Sequence, residues 1–232
     1  MTSTDTRYAI APAPVHSLPI AGERARFPVN RIFCVGRNYE EHAKEMGFTG
    51  CEPPFFFMKP ANAIVADGAA FAYPTLSKDV HHEIELVVAL KTGGANIAAA
   101  DALAHVYGYA VGLDMTRRDL QAEAKKAGRP WDTGKAFDGS APCGELVPVA
   151  QAGHPAAGEI RLEVNGAQRQ VGDLADMIWN VPDTIAYLST LFTLQPGDLI
   201  FTGTPAGVGA VQRGDRLRGT VAGVGVLEAE VV

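Results

Sequence analysis

Three carboxylates in two segments of this sequence have the type and spacing of metal ligands. Glu83 and Glu85 stand one residue apart in the apolar run HEIELVVAL, and Asp114 ends the apolar run GYAVGLD. Alternate residues of a strand share a face, and two neighbouring carboxylates resist ionisation unless a cation neutralises them. An oxygen-only donor set suits Mg²⁺ or Mn²⁺. A water-facing strand edge, with Asp114 capping the next helix, is the alternative interpretation.

A second group of residues could move protons and stabilise negative charge. His42 and Glu45 are three residues apart among helix formers, where a carboxylate can orient an imidazole that takes a proton from water. Arg118 and Gln121 have the same spacing on a later predicted helix. With Lys135, they could donate hydrogen bonds to a developing oxyanion. A solvent-exposed ion pair is the alternative for His42 and Glu45.

The two histidines beside the glutamates, His81 and His82, are left outside the predicted set of metal ligands. An imidazole at a strand edge is more often a hydrogen-bonding partner than a ligand in an oxygen-donor site. Whether these histidines orient the glutamates or contact a substrate stays open at this level.

Strands and a few short helices are predicted to position these residues. Asn165-Gly166 predicts the turn of a hairpin, and a capping pattern from Thr116 to Asp119 predicts the start of a helix that closes at Gly128. Further strands are predicted over RIFCVG, HEIELVVAL, HVYGYAVGLD and the glycine-punctuated tail, and further helices over NYEEHAKEMG, ending at Gly47, and VPDTIAYLSTLFTL, opened by Pro182. Strands outnumber helices, so the predicted class is α+β.

Length and composition predict a cytoplasmic protein with one substantial core. The chain has 232 residues, 47% hydrophobic and 20% charged, and a chain of this size buries roughly 70% of its unfolded surface. A net charge of −6 disfavours nucleic acid or an anionic membrane as partner, and no apolar run is long enough to cross a bilayer. We expect a loosely structured N-terminal arm over residues 1–29 and a single catalytic domain over 30–232. Cys34, Cys51 and Cys143 follow no paired pattern, so free thiols are expected.

Other motif-like stretches favour no different chemistry. GTPAGVGAVQRGD lacks the Gly-Lys-Ser/Thr ending of a P-loop, and it is interpreted as a tight loop over the site. No Gly-x-Ser-x-Gly elbow occurs and Cys34 lies within a strand pattern, so covalent catalysis is not supported. AEAKKAGR is predicted to be a charged, solvent-exposed helix end.

The order of the motifs along the chain resembles the fumarylacetoacetate hydrolase family. From about residue 30 onward the motifs are GRNYEEHAKEMG, PFFFMKP, HHEIELVVAL, GYAVGLDMTRRDLQ, RPWDTGKAFDGSAP, EVNGAQRQ and PGDLIFTGTPAGVG. The absence of a long amino-terminal domain is similar to the short acylpyruvase members. RPWDTGKAFD and PPFFFMKPANAIV look most like the bacterial fumarylpyruvate hydrolases among them.

The resemblance implies a fold, a reaction and roles for individual residues. It implies a mixed β-sheet roll with few short helices, a homodimer, and metal-dependent hydrolysis of the carbon–carbon bond of a diketo acid. The substrate would be an acylpyruvate, and the resemblance favours fumarylpyruvate from gentisate-type aromatic catabolism. The implied roles are metal binding for Glu83, Glu85 and Asp114 with Mg²⁺ or Mn²⁺, water activation for His42 and Glu45, oxyanion or carbanion stabilisation for Arg118, Gln121 and Lys135, and contacts with the substrate carboxylate or metal-bound water for Arg37, Lys59 and Thr204.

Two other functions stay open. Oxaloacetate decarboxylase or related lyase or isomerase chemistry would need the same metal and an enolate, but no attacking water. A metal-stabilised binding module without catalysis is the other alternative. The acyl group and the native metal are not settled by the sequence.

Overall fold

Strands dominate the described part of the chain, which comprises residues 7–41, 53–66 and 69–232 of the computed structural model. The strands are β1 (Ser17–Pro19), β2 (Arg26–Pro28), β3 (Ile32–Gly36), β4 (Phe55–Lys59), β5 (Ile64–Ala66), β6 (Val80–His82), β7 (Ile84–Leu90), β8 (Val106–Leu113), β9 (Thr116–Arg117), β10 (Ala141–Cys143), β11 (Val147–Pro148), β12 (Glu159–Val164), β13 (Ala167–Asp173), β14 (Leu199–Phe201), β15 (Gly209–Ala210), β16 (Arg216–Val221) and β17 (Gly225–Glu230). The α-helices are α1 (Ala99–Ala102), α2 (Arg118–Ala127), α3 (Asp132–Lys135), α4 (Val149–Ala152) and α5 (Val181–Leu191), with 3₁₀ turns at Ala61–Ala63, Leu103–His105 and Leu174–Asp176. The predicted mixed fold with few short helices is confirmed.

An eight-stranded mixed sheet forms the centre of the molecule. Its order is β4-β3-β14-β7-β8-β10-β5, and β11 pairs with β8. Every residue of β7 is buried. Ile84, Leu86, Val88 and Leu90 pack into the core on one face, whereas Val87 and Ala89 pack into the core on the other. The predicted alternation is therefore confirmed, and it fixes the register because a slip of one residue would turn Glu85 into the larger core.

A four-stranded antiparallel sheet, β13-β12-β16-β17, packs on the side of Ile84. The β12–β13 hairpin turns at Asn165 and Gly166, whose φ values of 53° and 78° are those of a tight hairpin turn, as predicted. A Cβ on Gly219 of β16 would lie 2.9 Å from Ile84 Cδ1 and 3.2 Å from Val111 Cγ1. The two sheets thus approach so closely that this position excludes a side chain.

Helix α2 has the predicted end but not the predicted start. Gly128 follows it in the left-handed conformation, with φ 61°. Arg117 is the N-cap residue, and its side chain forms no capping hydrogen bond. Thr116 belongs to β9, and its hydroxyl donates a hydrogen bond to the Asp114 carbonyl. Asp119 instead accepts hydrogen bonds from the Ser77 hydroxyl and from backbone N–H groups. The predicted Thr116–Asp119 capping pattern is wrong, because the Thr116 hydroxyl bonds the Asp114 carbonyl and Arg117 is the N-cap residue.

Helix α5 begins as predicted. The Asn180 side chain accepts a hydrogen bond from the Asp183 amide, and Pro182 occupies the first turn. The helix ends at Leu191, before Pro196. The predicted helix over NYEEHAKEMG falls mostly within residues 42–52, which lie outside the described residues.

The N-terminal region is packed onto the sheet from Ser17 onward. Strands β1 and β2 form an antiparallel pair, and Leu18 and Phe27 are buried in the second core. The expected loosely structured arm therefore does not extend over residues 17–29, although the proposed domain limits themselves stay a prediction. Cys34 and Cys143 are buried, Cys34 is a free thiol, and Cys51 lies outside the described residues. Among the described residues, no helix has the length and apolarity to cross a membrane.

Candidate active site

Backbone pairing between β7 and β8 brings the three predicted metal ligands together. Glu85 lies in β7, Glu83 immediately precedes that strand and Asp114 immediately follows β8. The strands are antiparallel with Ile84 opposite Leu113, and the Asp114 amide donates a 2.8 Å hydrogen bond to the Glu83 carbonyl. One potential ligand atom from each carboxylate lies within 4.8 Å of the others. The three residues are 5%, 2% and 1% exposed, so water does little to stabilise their charges.

Three cationic side chains neutralise most of this negative charge. Lys135 Nζ lies 2.8 Å from Glu83 Oε2 and 2.6 Å from Asp114 Oδ2. Burial alone would lower the pKa of Lys135, but the Asp114 and Glu83 carboxylates raise it, so this lysine is charged at neutral pH. Arg118 pairs with the other Glu83 oxygen, and Lys59 Nζ lies 2.8 Å from Asp114 Oδ1. That Oδ1 atom is buried and receives no hydrogen bond of acceptable geometry, so it can still take a further cation.

Glu85 has a different environment from the other two carboxylates. Its Oε2 atom accepts a 2.7 Å hydrogen bond from the Gly203 amide, at the start of the GTPAGVG loop. Gly203 has φ 93°, and a Cβ there would lie 2.7 Å from Asn38 Cβ, so only glycine fits. Burial, and then the neighbouring charges of Asp114 and Glu83, raise the pKa of Glu85 well above its ordinary value. The GTPAGVG segment is thus a tight loop at the site, as the sequence predicted.

The raised pKa of Glu85 predicts that the metal-free protein loses stability as pH rises above the ordinary glutamate range. Between the unfolded and folded pKa values the folded state holds the extra proton, so the free energy of unfolding falls with increasing pH. A divalent ion competes with that proton, so stabilisation by Mn²⁺ should grow with pH over the same window. Melting temperatures with chelator and with Mn²⁺, from about pH 5 to about pH 8, would measure this. A Glu85→Gln protein with the same pH profile as the wild type would contradict the assignment.

Arg118 is held in place by its neighbours on both sides. Its Nη1 donates a 2.7 Å hydrogen bond to Gln121 Oε1, which leaves the Gln121 amide nitrogen as the group that can donate elsewhere. Its Nε donates to His81 Nδ1 at 3.4 Å, and His81 Nε2 lies 2.9 Å from Asp79 Oδ1. Burial, followed by the Arg118 charge, lowers the pKa of His81, which favours the neutral ring. His81 therefore orients Arg118, and it does not line the cleft described below.

His82 connects the strand that precedes the ligands to the GTPAGVG loop. Its Nδ1 lies 2.9 Å from Gln170 Oε1, which also accepts a hydrogen bond from the Ile84 amide. Gln170 Nε2 donates to Thr204 Oγ1 and to the Pro205 carbonyl, which fixes the orientation of the amide. Since Gln170 Oε1 can only accept a hydrogen bond, His82 Nδ1 must carry the proton and donate it. His82 thus supports the loop through Gln170 and does not line the cleft.

One cleft is lined by most of the predicted site residues. Arg37 lines it with an unusual backbone φ of 60°, and its guanidinium group lies 5.1 Å from the centre of the Phe55 ring. A Cβ on Gly36 would lie 2.1 Å from this ring, so the glycine makes room for it. The predicted residues that line the cleft are Arg37, Glu83, Glu85, Asp114, Arg118, Gln121, Lys135 and Thr204.

Lys59 is placed elsewhere than the sequence suggested. Its ammonium group is buried behind Asp114, where it donates to Ser140 Oγ at 3.0 Å and to the Lys135 and Met115 carbonyls. It is not among the residues that line the cleft. Lys59 is therefore positioned to support Asp114, and a direct contact with substrate stays a prediction. His42 and Glu45 lie outside the described residues, so their predicted pairing stays a prediction as well.

Six further residues that were not predicted as site residues line the cleft. They are Val35, Gly36, Phe55, Phe57, Lys125 and Trp131. Lys125 belongs to AEAKKAGR, which was predicted to be solvent-exposed. That interpretation is right for Glu123 and Lys126 but wrong for Lys125, which is half-buried with Nζ 4.9 Å from the centre of the Trp131 ring. Its spacing of seven residues from Arg118 places both on one helix face, which is the signal that could have identified it.

The donor set fits a divalent metal ion. The cluster is oxygen-only and buried, one oxygen lacks a hydrogen bond, and the Glu85 carboxyl resists ionisation until a cation is close. A cleft beside the carboxylates provides access for water. Fold and site together define a protein with a carboxylate metal centre, suited to Mg²⁺ or Mn²⁺, at the edge of a mixed β-sheet.

Comparison with known proteins identifies the family. Residues 31–232 match the family described as fumarylacetoacetate (FAA) hydrolase, C-terminal. A crystal structure of fumarylpyruvate hydrolase from Pseudomonas aeruginosa, in complex with Mn²⁺ and pyruvate, is 53% identical, with a TM-score of 0.95 over 97% of this chain and 99% of that one. The chain belongs to the fumarylacetoacetate hydrolase family of enzymes. The family and its β-sheet fold, predicted from the motif order, are confirmed.

Two curated relatives have different activities. Fumarylpyruvate hydrolase of Ralstonia sp is 47% identical over 180 residues, which are 78% of this chain and 93% of that protein. The mitochondrial oxaloacetate tautomerase FAHD1 of Rattus norvegicus is 44% identical over 193 residues, 83% of this chain and 87% of that protein. Similar sequences within the family therefore carry out different reactions.

Proposed function

We propose that this protein is a divalent-metal-dependent hydrolase that cleaves fumarylpyruvate into fumarate and pyruvate. The single observation that carries the proposal is the juxtaposition, in one cleft, of the carboxylate cluster with Arg118, Gln121 and Lys135. The fumarylpyruvate hydrolases at 47% and 53% identity support the choice of substrate. Gentisate-type aromatic catabolism, a homodimer and a cytoplasmic location belong to the same proposal.

In the proposed reaction, some residues bind the metal ion and the substrate, and others stabilise negative charge. When bound, Mg²⁺ or Mn²⁺ would supply Lewis-acid polarisation of the 2-oxo group and neutralise charge. Glu83, Glu85 and Asp114 would hold that ion. Phe55 and Phe57, on strand β4, line the cleft and reduce access of bulk water. The substrate is thereby fixed by its oxo acid end, with its acyl carbonyl presented to the donor groups.

Hydrolysis then needs a base and an oxyanion site. His42, oriented by Glu45, would remove a proton from the water whose oxygen bonds to the acyl carbonyl carbon. Arg118, Lys135 and the Gln121 amide nitrogen would stabilise the tetrahedral oxyanion. Its collapse breaks the carbon–carbon bond, and the electron pair passes to the pyruvate enolate. Protonation of the enolate carbon completes the release of pyruvate.

His42→Ala is expected to lower the turnover of fumarylpyruvate by about 10²–10⁴-fold, the usual contribution of a general base. Decarboxylation of oxaloacetate needs no attacking water and should change little. Loss of diketone absorbance and the identity of the products would be measured with Mg²⁺ and with Mn²⁺. His105→Ala is the matched control, because that ring bonds Thr92 away from the cleft. Hydrolysis at near wild-type rate in His42→Ala would rule out the proposed base.

Oxaloacetate chemistry is the second candidate function. The oxaloacetate tautomerase at 44% identity favours it, since a divalent ion held by the same carboxylate cluster would supply the positive charge that stabilises the enolate of oxaloacetate. A substrate panel of fumaryl-, maleyl- and acetylpyruvate with oxaloacetate separates the two candidates by specificity constant. A non-enzymatic binding module is excluded if chelation abolishes turnover and added metal restores it.

A further inference from the structure

Lys125 is a cation of the cleft that has no role in the proposed reaction. Its ammonium group lies 4.9 Å from the centre of the Trp131 ring, and both residues line the cleft. Among the residues that the structure describes, no carboxylate lies within ion-pair distance of it. By contrast, Arg118 and Lys135 pair with the carboxylate cluster. Lys125 is therefore available to an anion that enters the cleft.

The position of Lys125 along helix α2 gives it a defined distance from the carboxylate cluster. Arg118, Gln121 and Lys125 follow one another at spacings of three and four residues, so they form one row on the helix face toward the cleft. Arg118, at one end, contacts Glu83. Seven residues of helix separate the backbones of Arg118 and Lys125 by about 10 Å. Lys125 thus lies at the end of this row that is farther along the helix from the contact with Glu83.

The charges of the cleft favour an anion at that end. Four cationic side chains, Arg37, Arg118, Lys125 and Lys135, line the cleft with three carboxylates, so its lining is net positive even without a divalent ion. Burial, and then the charges of Arg118, Arg37 and Lys135, lower the pKa of Lys125 to about 8, while Glu83 opposes this. A carboxylate beside Lys125 would relieve that mutual repulsion.

We propose that Lys125, held over the Trp131 ring, binds a second carboxylate at the far end of the acyl group, so that the enzyme selects acylpyruvates whose acyl chain ends in a carboxylate. This inference rests on the proposed function and deepens it. Oxaloacetate also has two carboxylates, but its second one would occupy the place of the scissile carbonyl, near Arg118 and Lys135. Acetylpyruvate has only the oxo acid end. The three substrates therefore distinguish Lys125 from the rest of the cleft.

Lys125→Met retains the aliphatic stem on Trp131 and removes the charge. We expect it to raise the KM for fumarylpyruvate by about 10–100-fold, as is usual for loss of a charged hydrogen bond of about 1.5–3 kcal/mol. The kcat/KM values for acetylpyruvate and oxaloacetate should stay within about twofold, because neither substrate reaches this lysine. Lys125→Arg should retain most of the binding. Lys126→Met, at the exposed neighbouring position, is the matched control.

Two outcomes would overturn the assignment of Lys125. Equal losses with fumarylpyruvate and acetylpyruvate would mean that the lysine acts on the shared oxo acid end or on folding. An unchanged KM for fumarylpyruvate would mean that it does not bind the distal carboxylate. If the wild type cleaves neither acylpyruvate, the proposed function fails, and calorimetric titration of the Mn²⁺-loaded proteins with fumarylpyruvate decides the role of Lys125 separately. Weaker binding in Lys125→Met supports that role, and equal binding contradicts it.

Discussion

Glu85→Gln is expected to nearly abolish turnover while leaving the protein folded. The substitution retains the shape of the side chain, and the amide oxygen can still accept the Gly203 hydrogen bond. It removes one of the three anionic ligands predicted among the described residues. Since loss of an outer-shell partner costs about 10–100-fold in metal affinity, loss of a direct ligand should cost about 100-fold or more. Turnover should fall by about 10³-fold at limiting metal, because charge stabilisation by the ion is lost with it.

Titration of the metal-free proteins with Mn²⁺, followed by calorimetry and by activity, measures both effects. Glu123→Gln makes the same chemical change on the exposed side of helix α2 and should affect neither. Raising the Mn²⁺ concentration should partly restore the activity of Glu85→Gln. Wild-type Mn²⁺ affinity in this variant would show that Glu85 is not a ligand.

Lys135→Met is expected to cause the second large effect, on both stability and catalysis. The lysine is 3% exposed and bridges Glu83 and Asp114. Removing one partner of a buried ion pair typically costs about 3–5 kcal/mol, because an uncompensated charge stays buried. We therefore expect the metal-free variant to unfold at a clearly lower temperature. Bound Mn²⁺ should recover part of this loss, since it supplies positive charge to the same carboxylates.

Activity should not recover in parallel with stability. Lys135 lines the cleft beside Arg118 and Gln121, and removing one donor from an oxyanion site lowers kcat by about 10²–10³-fold. Steady-state kinetics at saturating Mn²⁺ and denaturant unfolding with and without the ion separate the two roles. Lys91→Met, at an exposed position outside the cleft, is the control. Full activity of Lys135→Met once metal has restored its stability would leave the lysine with a structural role alone.

Local sequence patterns predicted the strands around the site with good accuracy. The alternation in HEIELVVAL correctly predicted that the side chains of Glu85 and Ile84 lie on opposite faces of the strand. Asn165-Gly166 correctly predicted a hairpin turn. These predictions hold because side-chain periodicity and turn conformation depend on neighbours in sequence. The Thr116 cap failed for the opposite reason. Its hydroxyl bonds the Asp114 carbonyl, and that contact depends on how β8, β9 and α2 meet.

The sequence by itself determined the residue types of the site: three carboxylates suited to a hard divalent ion, and a motif order specific enough to identify the family. Only the tertiary structure decided how they are used. The antiparallel pairing of β7 and β8 places Asp114 beside Glu83. Lys59 is buried behind the cluster and pairs with Asp114. The packing of α2 against Trp131 places Lys125 in the lining of the cleft. Pairing, burial and charge depend on segments far apart in the chain, so spacing along the sequence could not specify them.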